Sequence, residues 1–391
     1  MTRIHLIKKP LRMLRVLYLV GFFFSVHLAL TAYVNSTFLG QYINPNLVGV
    51  LFAISYLIGI IGVILIPKIL NKVGGYKTIL FLILINILTL SSLFFLKSVY
   101  LLVPLFITYI VINIMISFSI DIFVENFSEN KSTGKIRGLF LTIINFAWVF
   151  APLLTGFVLS NNSPSKIYLI SSFFVIPVLF IFLFRFKKFK DPKYNHLSIK
   201  KSLLIIKKNK DIKKIFQISF LLQFFYAWMV IYMPIYLIQY IGFGWDKIGI
   251  IFTIMLLPFI LFELPLGKLA DTRLGEKEIL IIGFIIIAIS TLIIPFLKTT
   301  NVFVWALVLF LTRTGASAIQ VMSETYFFKK TKIEDMEVIG LFRGLSNFAW
   351  VLAPLLASLF LIFFNYKYLF LVLGILMIGG IYLSSVVQDT K

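Results

Sequence analysis

Gly138-Leu-Phe-Leu-Thr-Ile-Ile-Asn145-Phe-Ala-Trp148-Val-Phe-Ala-Pro152-Leu-Leu154 returns later in the same chain as Gly340-Leu-Phe-Arg-Gly-Leu-Ser-Asn347-Phe-Ala-Trp350-Val-Leu-Ala-Pro354-Leu-Leu356, displaced by 202 residues and identical at 12 of 17 positions. A hydrophobic bias supplies Leu, Val and Ala by chance, but it does not set Asn, Trp and Pro in one register. A second echo, at an offset of 200, pairs Pro67-Lys-Ile-Leu-Asn71 and Lys77-Thr-Ile-Leu80 with Gly267-Lys-Leu-Ala-Asp271 and Lys277-Glu-Ile-Leu280. Self-similarity over half a chain is the mark of an internal duplication, so the fold is expected to be one bundle used twice.

What is duplicated follows from composition. The 391 residues are 60% hydrophobic and 13% charged, with 43 Phe and a mean hydropathy of +1.01. A water-exposed globular domain runs nearer half apolar and a quarter charged, so these values point to a bilayer protein. About 20 apolar residues in helix cross the roughly 30 Å of hydrocarbon. Runs of that kind occupy roughly 14–34, 47–66, 78–96, 99–122, 138–160, 167–186, 214–240, 247–266, 279–297, 301–324, 340–363 and 367–387. They are apolar on every face, as Ile79–Phe95 shows, and lack the two-residue alternation of a membrane barrel. The expectation is an all-α integral membrane protein of twelve spans in two pseudo-symmetric six-helix bundles, 1–190 and 214–391, joined by a basic linker at 191–213.

The net charge of +22 first suggests a nucleic-acid partner, but its distribution says otherwise. Of 37 Lys and Arg, 31 lie in the tails and the loops on one face, 12 of them between 185 and 214. The opposite face carries five, Lys97, Lys166, Lys247, Lys298 and Lys367, one to a loop. Such a split is the positive-inside signal, and it sets both termini in the cytoplasm, with the chain a multi-pass protein of the cell membrane. The basic charge thus reads as topology with some attraction to anionic headgroups, and no nucleic-acid partner is expected. The first apolar run is followed by Asn35-Ser36-Thr37 rather than a small-residue cleavage site, so it reads as a retained span.

The loop between the second and third span of each half carries further information. Gly267-Lys-Leu-Ala-Asp271-Thr-Arg273-Leu-Gly275-Glu-Lys277 resembles the loop signature of the major facilitator superfamily of secondary transporters, with one residue inserted before the second Gly. The first-half copy departs further, with Pro67, Asn71, Lys72, Gly74 and Lys77. Together with six plus six spans and a long basic central loop, the resemblance covers essentially the whole chain. It implies two bundles that rock about a midplane site, a central cavity lined by the first, fourth, seventh and tenth spans, and a small-molecule substrate. Parallel repeats of this kind are related by an axis along the membrane normal.

Polar residues within spans are costly and therefore informative. Arg313, Ser317, Gln320 and Glu324 fall on one face of the tenth span, at i, i+4, i+7 and i+11. An offset of 200 repeats the face in the fourth span as Asn113, Ser117 and Asp121. The first span adds His27, Thr31 and Asn35, and the seventh adds Gln223 and Tyr226. These are the candidate substrate and cavity residues, found by periodicity on the same four spans that the resemblance names.

Arg313 is the one cation outside the topology count. It lies near the middle of its span, with Glu324 about 16 Å further along the helix. A guanidinium prefers a planar anion that accepts two hydrogen bonds. The expectation is that Arg313 receives a carboxylate or phosphate of the substrate, with Asn113 and Gln223 adding neutral hydrogen bonds; the alternative is a structural arginine held by helix carbonyls, Asn113 and water. Candidate gating residues are Asn71, Asp271 and Arg273 in the loops, with Asp121 and Glu125 facing Arg137, and Glu324 facing Arg343. His27 and Asp121 are the candidates for proton coupling.

There is no cysteine, so thiolate metal sites and thiol catalysis are excluded, and three scattered histidines, at 5, 27 and 196, form no metal motif. With no phosphate-binding Gly loop and no nucleophile beside a base, neither an enzyme nor a cofactor is expected. The reading is a monomeric secondary active transporter for a small, anionic solute, working by alternating access with proton coupling. Drug or metabolite efflux by antiport, and a non-transporting receptor or assembly factor on the same scaffold, are the alternatives. The absence of cysteine makes the topology testable. With Lys97→Cys, a membrane-impermeant maleimide added to intact cells is expected to label the protein, whereas with Ser198→Cys it labels only after the membrane is opened. The reverse pattern contradicts the assigned orientation.

Overall fold

The computed structural model describes residues 2–126, 133–187, 206–207, 209–272, 275–331 and 336–388. Twelve helices within it are long and apolar enough to cross a membrane, and no strand occurs among the described residues. In order they are Met13–Ala32, Pro45–Val73, Gly75–Phe95, Val99–Val124, Leu139–Leu159 and Lys166–Arg185, then Lys210–Ile241, Trp245–Leu269, Glu276–Phe296, Val302–Lys330, Gly340–Phe363 and Tyr368–Ser385. Helix is the conformation expected for such segments, because a lone span in hydrocarbon must satisfy every backbone N–H and C=O internally.

The helices group into two compact units, Met1–Phe38 with Ser55–His196, and Leu39–Ile54 with Leu197–Lys391. The second unit thus takes in the start of the second span, where the sequence expectation kept all of 1–190 in one bundle. Each unit is built by the same pairings. In the first, the first span packs on the fifth and sixth, and the third packs on the fourth and sixth. In the second unit the seventh packs on the eleventh and twelfth, and the ninth on the tenth and twelfth. The sequence duplication is therefore also a duplication of packing.

Close approach of helices depends on small residues, since apolar burial alone does not draw helices together in lipid. The ninth and tenth spans cross at Gly283 and Gly315. A Cβ on Gly315 would sit 2.5 Å from the Gly283 carbonyl oxygen and 2.9 Å from the Ile287 nitrogen. In the first unit Gly59 and Gly62 of the second span face Ile114 and Met115 of the fourth. Large apolar side chains such as Phe81, Phe157 and Leu264 stay exposed, as a lipid-facing surface requires.

Prolines lie inside continuous helix at 67, 104, 152, 177, 234, 258 and 354. The repeat pair Pro152 and Pro354 stays within unbroken helix. Pro234 is followed by a π-helical turn, Leu237–Ile241, that ends at Gly242 with φ +83°, a conformation suited to glycine.

The Gly283–Gly315 crossing yields a direct test. Gly315→Val is expected to lower stability by about 1–3 kcal/mol, since backbone cannot give way as a flexible side chain does. Gly379→Ala, where a new Cβ meets nothing within 4 Å, is expected to be neutral or slightly stabilising. Equal thermal midpoints for the two variants contradict a tight crossing.

Candidate functional site

In the first unit the polar residues of the first and fourth spans are drawn into one buried network. His27 is fully buried, with its Nδ1 2.6 Å from Ser171 Oγ and its Nε2 3.0 Å from Asn113 Oδ1. Asn86 Nδ2 donates to the same Asn113 oxygen at 2.6 Å. Ser171 Oγ donates to the carbonyl oxygen of His27 at 2.9 Å. A serine has a single hydroxyl proton. With that proton on the His27 carbonyl, all four contacts close only when both ring nitrogens donate, as in an imidazolium; a neutral ring gives up one of them.

The network continues along the first span. Tyr109 Oη lies 2.6 Å from Thr31 Oγ1, which donates to the Leu28 carbonyl at 3.0 Å, and Tyr168 donates to Asn35 Oδ1 at 2.8 Å. Among the described residues, Asn86 Oδ1 and Asn113 Nδ2 are buried without a hydrogen-bond partner. Of the expected cavity residues, then, His27, Thr31 and Asn113 meet inside the first unit, while Ser117 is half-buried one turn beyond Asn113.

The second unit treats its polar stripe differently. Arg313 is 1% exposed, and its guanidinium carbon lies over the rings of both Phe225 and Tyr226, 5.3 Å from each centroid. Its Nε and Nη1 have no hydrogen-bond partner among the described residues. The Tyr226 hydroxyl donates to Gln320 Oε1 at 2.9 Å, and the Ser317 hydroxyl reaches the Pro258 carbonyl at 3.4 Å. Gln223 is half-buried, one turn ahead of Tyr226. The stripe Arg313, Ser317, Gln320 is thus intact, and an aromatic wall on the seventh span holds its cation. Among the described residues no helix carbonyl accepts from Arg313 Nε or Nη1.

Cation–π contact of this kind contributes about 0.5–2 kcal/mol, against an insertion cost of about 2.5–3.5 kcal/mol for a mid-span arginine. The rings offset part of the charge, but they accept nothing from the N–H edges. An anion arriving in the plane of the guanidinium would.

The expected gate pairs, Asp121 and Glu125 with Arg137 and Glu324 with Arg343, are not tested by what is described. The side chains of Glu125, Arg137, Asp271 and Arg343, and the whole of Arg273, lie outside the described residues. Asn71 and Asp121 are exposed and Glu324 is half-buried. In the second unit, Lys329 Nζ meets Glu276 Oε1 at 2.5 Å, with Glu276 only 1% exposed in the first turn of its helix. Asp211 pairs with Lys330 at 3.5 Å and with Lys214 at 3.8 Å. A carboxylate in a helix's first turn is favoured by the helix dipole.

Sequence reasoning missed Asn86, Tyr109, Ser171, Phe225, Glu276 and Lys329. Asn86 was detectable, being a lone carboxamide in an otherwise apolar run. Phe225 carried no signal, since one Phe among 43 is undistinguished until its neighbour is known.

Comparison with known proteins adds to this geometry. The sequence profile described as Major Facilitator Superfamily matches residues 17–249 and 218–389. No curated protein is similar in sequence to the chain. Among solved structures, the chain is similar to the crystal structure of a D-xylose–proton symporter, at 15% identity and a TM-score of 0.72, over 97% of this chain and 98% of that one. At that identity the likeness establishes the fold.

The first-unit network is testable by a double-mutant cycle. Asn113→Leu removes the acceptor of both His27 and Asn86, and is expected to cost about 1–3 kcal/mol. The Asn86→Leu/Asn113→Leu pair is expected to cost less than the sum of the single changes, because a buried amide no longer loses its partner. Strict additivity of the unfolding free energies contradicts the shared contact.

Proposed function

The chain belongs to the Major Facilitator Superfamily, and from that premise we propose that it is a secondary active transporter that carries a small anionic solute across the cell membrane by alternating access, coupled to protons. It is a multi-pass membrane protein of a transporter family rather than of an enzyme family. The positive-inside distribution supports cytoplasmic termini. With no nucleotide-binding loop in the sequence, the free energy comes from an ion gradient.

One observation carries the anionic part of the proposal: a guanidinium held 99% out of solvent on two aromatic rings, with two N–H donors unmet. Burial without a partner is costly unless a ligand supplies one during the cycle. Arg313 is the group that receives the charge, with Tyr226 against it, and with Ser317, Gln320 and Gln223 elsewhere on the same two helices of the second unit. Asn113 and Ser117 occupy the corresponding face of the fourth span in the first.

Proton coupling rests on His27. Both of its ring nitrogens point at groups able to accept, so protonation strengthens a network that is otherwise one bond short. Tyr109 is the titratable neighbour, with its ring 5.9 Å from the imidazole, and Tyr168 packs behind it.

Uptake into proteoliposomes tests both parts, using acetate, lactate, benzoate and phosphate as probes with and without an inward acid gradient. Arg313→Gln is expected to reduce uptake of each accepted anion at least tenfold. His27→Gln is expected to keep exchange at equal pH and lose the stimulation by the gradient. Anion uptake unchanged in Arg313→Gln refutes the first assignment, and undiminished stimulation in His27→Gln refutes the second.

A further inference from the structure

The charge around Arg313 is one-sided, and that narrows the class of anion; the inference rests on Arg313 being the anion site. Nε and Nη1 are cationic donors. Gln320 has its Oε1 engaged by the Tyr226 hydroxyl, so the side chain has its amide N–H groups left to offer. The hydroxyls of Thr312, Thr314 and Ser317 donate to the backbone carbonyls of Leu309, Phe310 and Pro258, so toward a ligand they present neutral lone pairs and no charge. No described carboxylate forms an ion pair with Arg313, and the next acid on its helix, Glu324, is about three turns away.

Charge balance in a medium of low dielectric then decides between ligands. One guanidinium neutralises one carboxylate. An amino acid brings a carboxylate and an ammonium, and the ammonium meets a like charge with no anionic acceptor at hand. A dicarboxylate leaves a negative charge uncompensated. Neutral sugars leave the guanidinium as it was.

The walls narrow the class further. The Phe225 and Tyr226 rings take the guanidinium carbon, while Nε and Nη1, buried in its plane, have no hydrogen-bond partner among the described residues. A carboxylate entering in that plane carries the rest of the ligand alongside aromatic surface, where half-buried Tyr226 has half-buried Phe259 at a centroid separation of 6.2 Å. A flat, apolar body continuous with the carboxylate fits such a wall, because aromatic pairs gain beyond the area they bury.

We propose that the Arg313 site takes an organic monocarboxylate with a planar aromatic body and no ammonium group, and discriminates against amino acids, amines and dicarboxylates.

Binding to the purified full-length protein in lipid nanodiscs, by calorimetric titration, tests this with benzoate, acetate, phthalate, phenylalanine and benzylamine as probes. Benzoate is expected to bind at least tenfold more tightly than each of the other four. Arg313→Gln is expected to abolish benzoate binding, and Arg313→Lys, which keeps the charge and loses the planar fork, to weaken it at least tenfold. Should Arg313→Gln fail to fold, the Arg313→Lys and Gln320→Leu proteins carry the test, the latter expected to bind benzoate severalfold more weakly. Phenylalanine binding as tightly as benzoate overturns the charge-balance argument. Acetate and benzoate binding equally, both dependent on Arg313, overturns the aromatic part and leaves Arg313 as the anion site. Binding of no anion, or binding indifferent to Arg313, overturns this inference and the anion-site reading together.

Discussion

A positive charge in the middle of a hydrocarbon-crossing helix, with N–H groups that nothing in the described protein accepts, is the constraint around which the second unit is organised. Arg313 is kept there by the rings of Phe225 and Tyr226, which suit the flat face of a guanidinium and leave its edges unspent. A structural arginine in such a place is normally satisfied by carbonyls or a carboxylate. Arg313 is instead packed against rings, and its Nε and Nη1 have no acceptor among the described residues, which is the observation the proposed anion site rests on.

The first unit shows what the same position becomes when it is neutral. Asn113 corresponds to Arg313 at an offset of 200, as Ser117 does to Ser317. Around Asn113 the surrounding helices supply a hydrogen-bonded set from His27, Asn86 and Ser171, and the carboxamide oxygen accepts twice. Around Arg313 the seventh span, which corresponds to the first, supplies aromatic rings. At one register position, then, the first unit has a neutral hydrogen-bonded network and the second a cation with two N–H groups that lack a partner among the described residues.

Much of this was legible in the sequence, for identifiable reasons. Span positions follow from runs of apolar residues, and each of the twelve helices lies where its run does, with the helix ends differing by a few residues. The polar stripe Arg313, Ser317, Gln320 is legible because helical spacing fixes which residues share a face. What was not legible depends on contacts between helices. Neither the rings beneath Arg313 nor the Asn86 donor to Asn113 can be inferred from spacing along one helix, and the Glu276–Lys329 pair joins residues 53 apart. The second span is the same kind of case: its apolar run is uniform, yet residues 39–54 group with the second unit, a division set by packing partners rather than by the run itself.

The central claim is that the Arg313 guanidinium is completed by the carboxylate of the ligand. Solid-state NMR can measure that contact, using benzoate labelled with carbon-13 at the carboxyl and protein labelled with nitrogen-15 in arginine side chains, with Arg313→Lys identifying the signal. The account expects a carbon–nitrogen separation of about 4 Å, one charge-assisted hydrogen bond plus a carbon–oxygen bond. Bound benzoate that shows no dipolar coupling to the Arg313 nitrogens would contradict it.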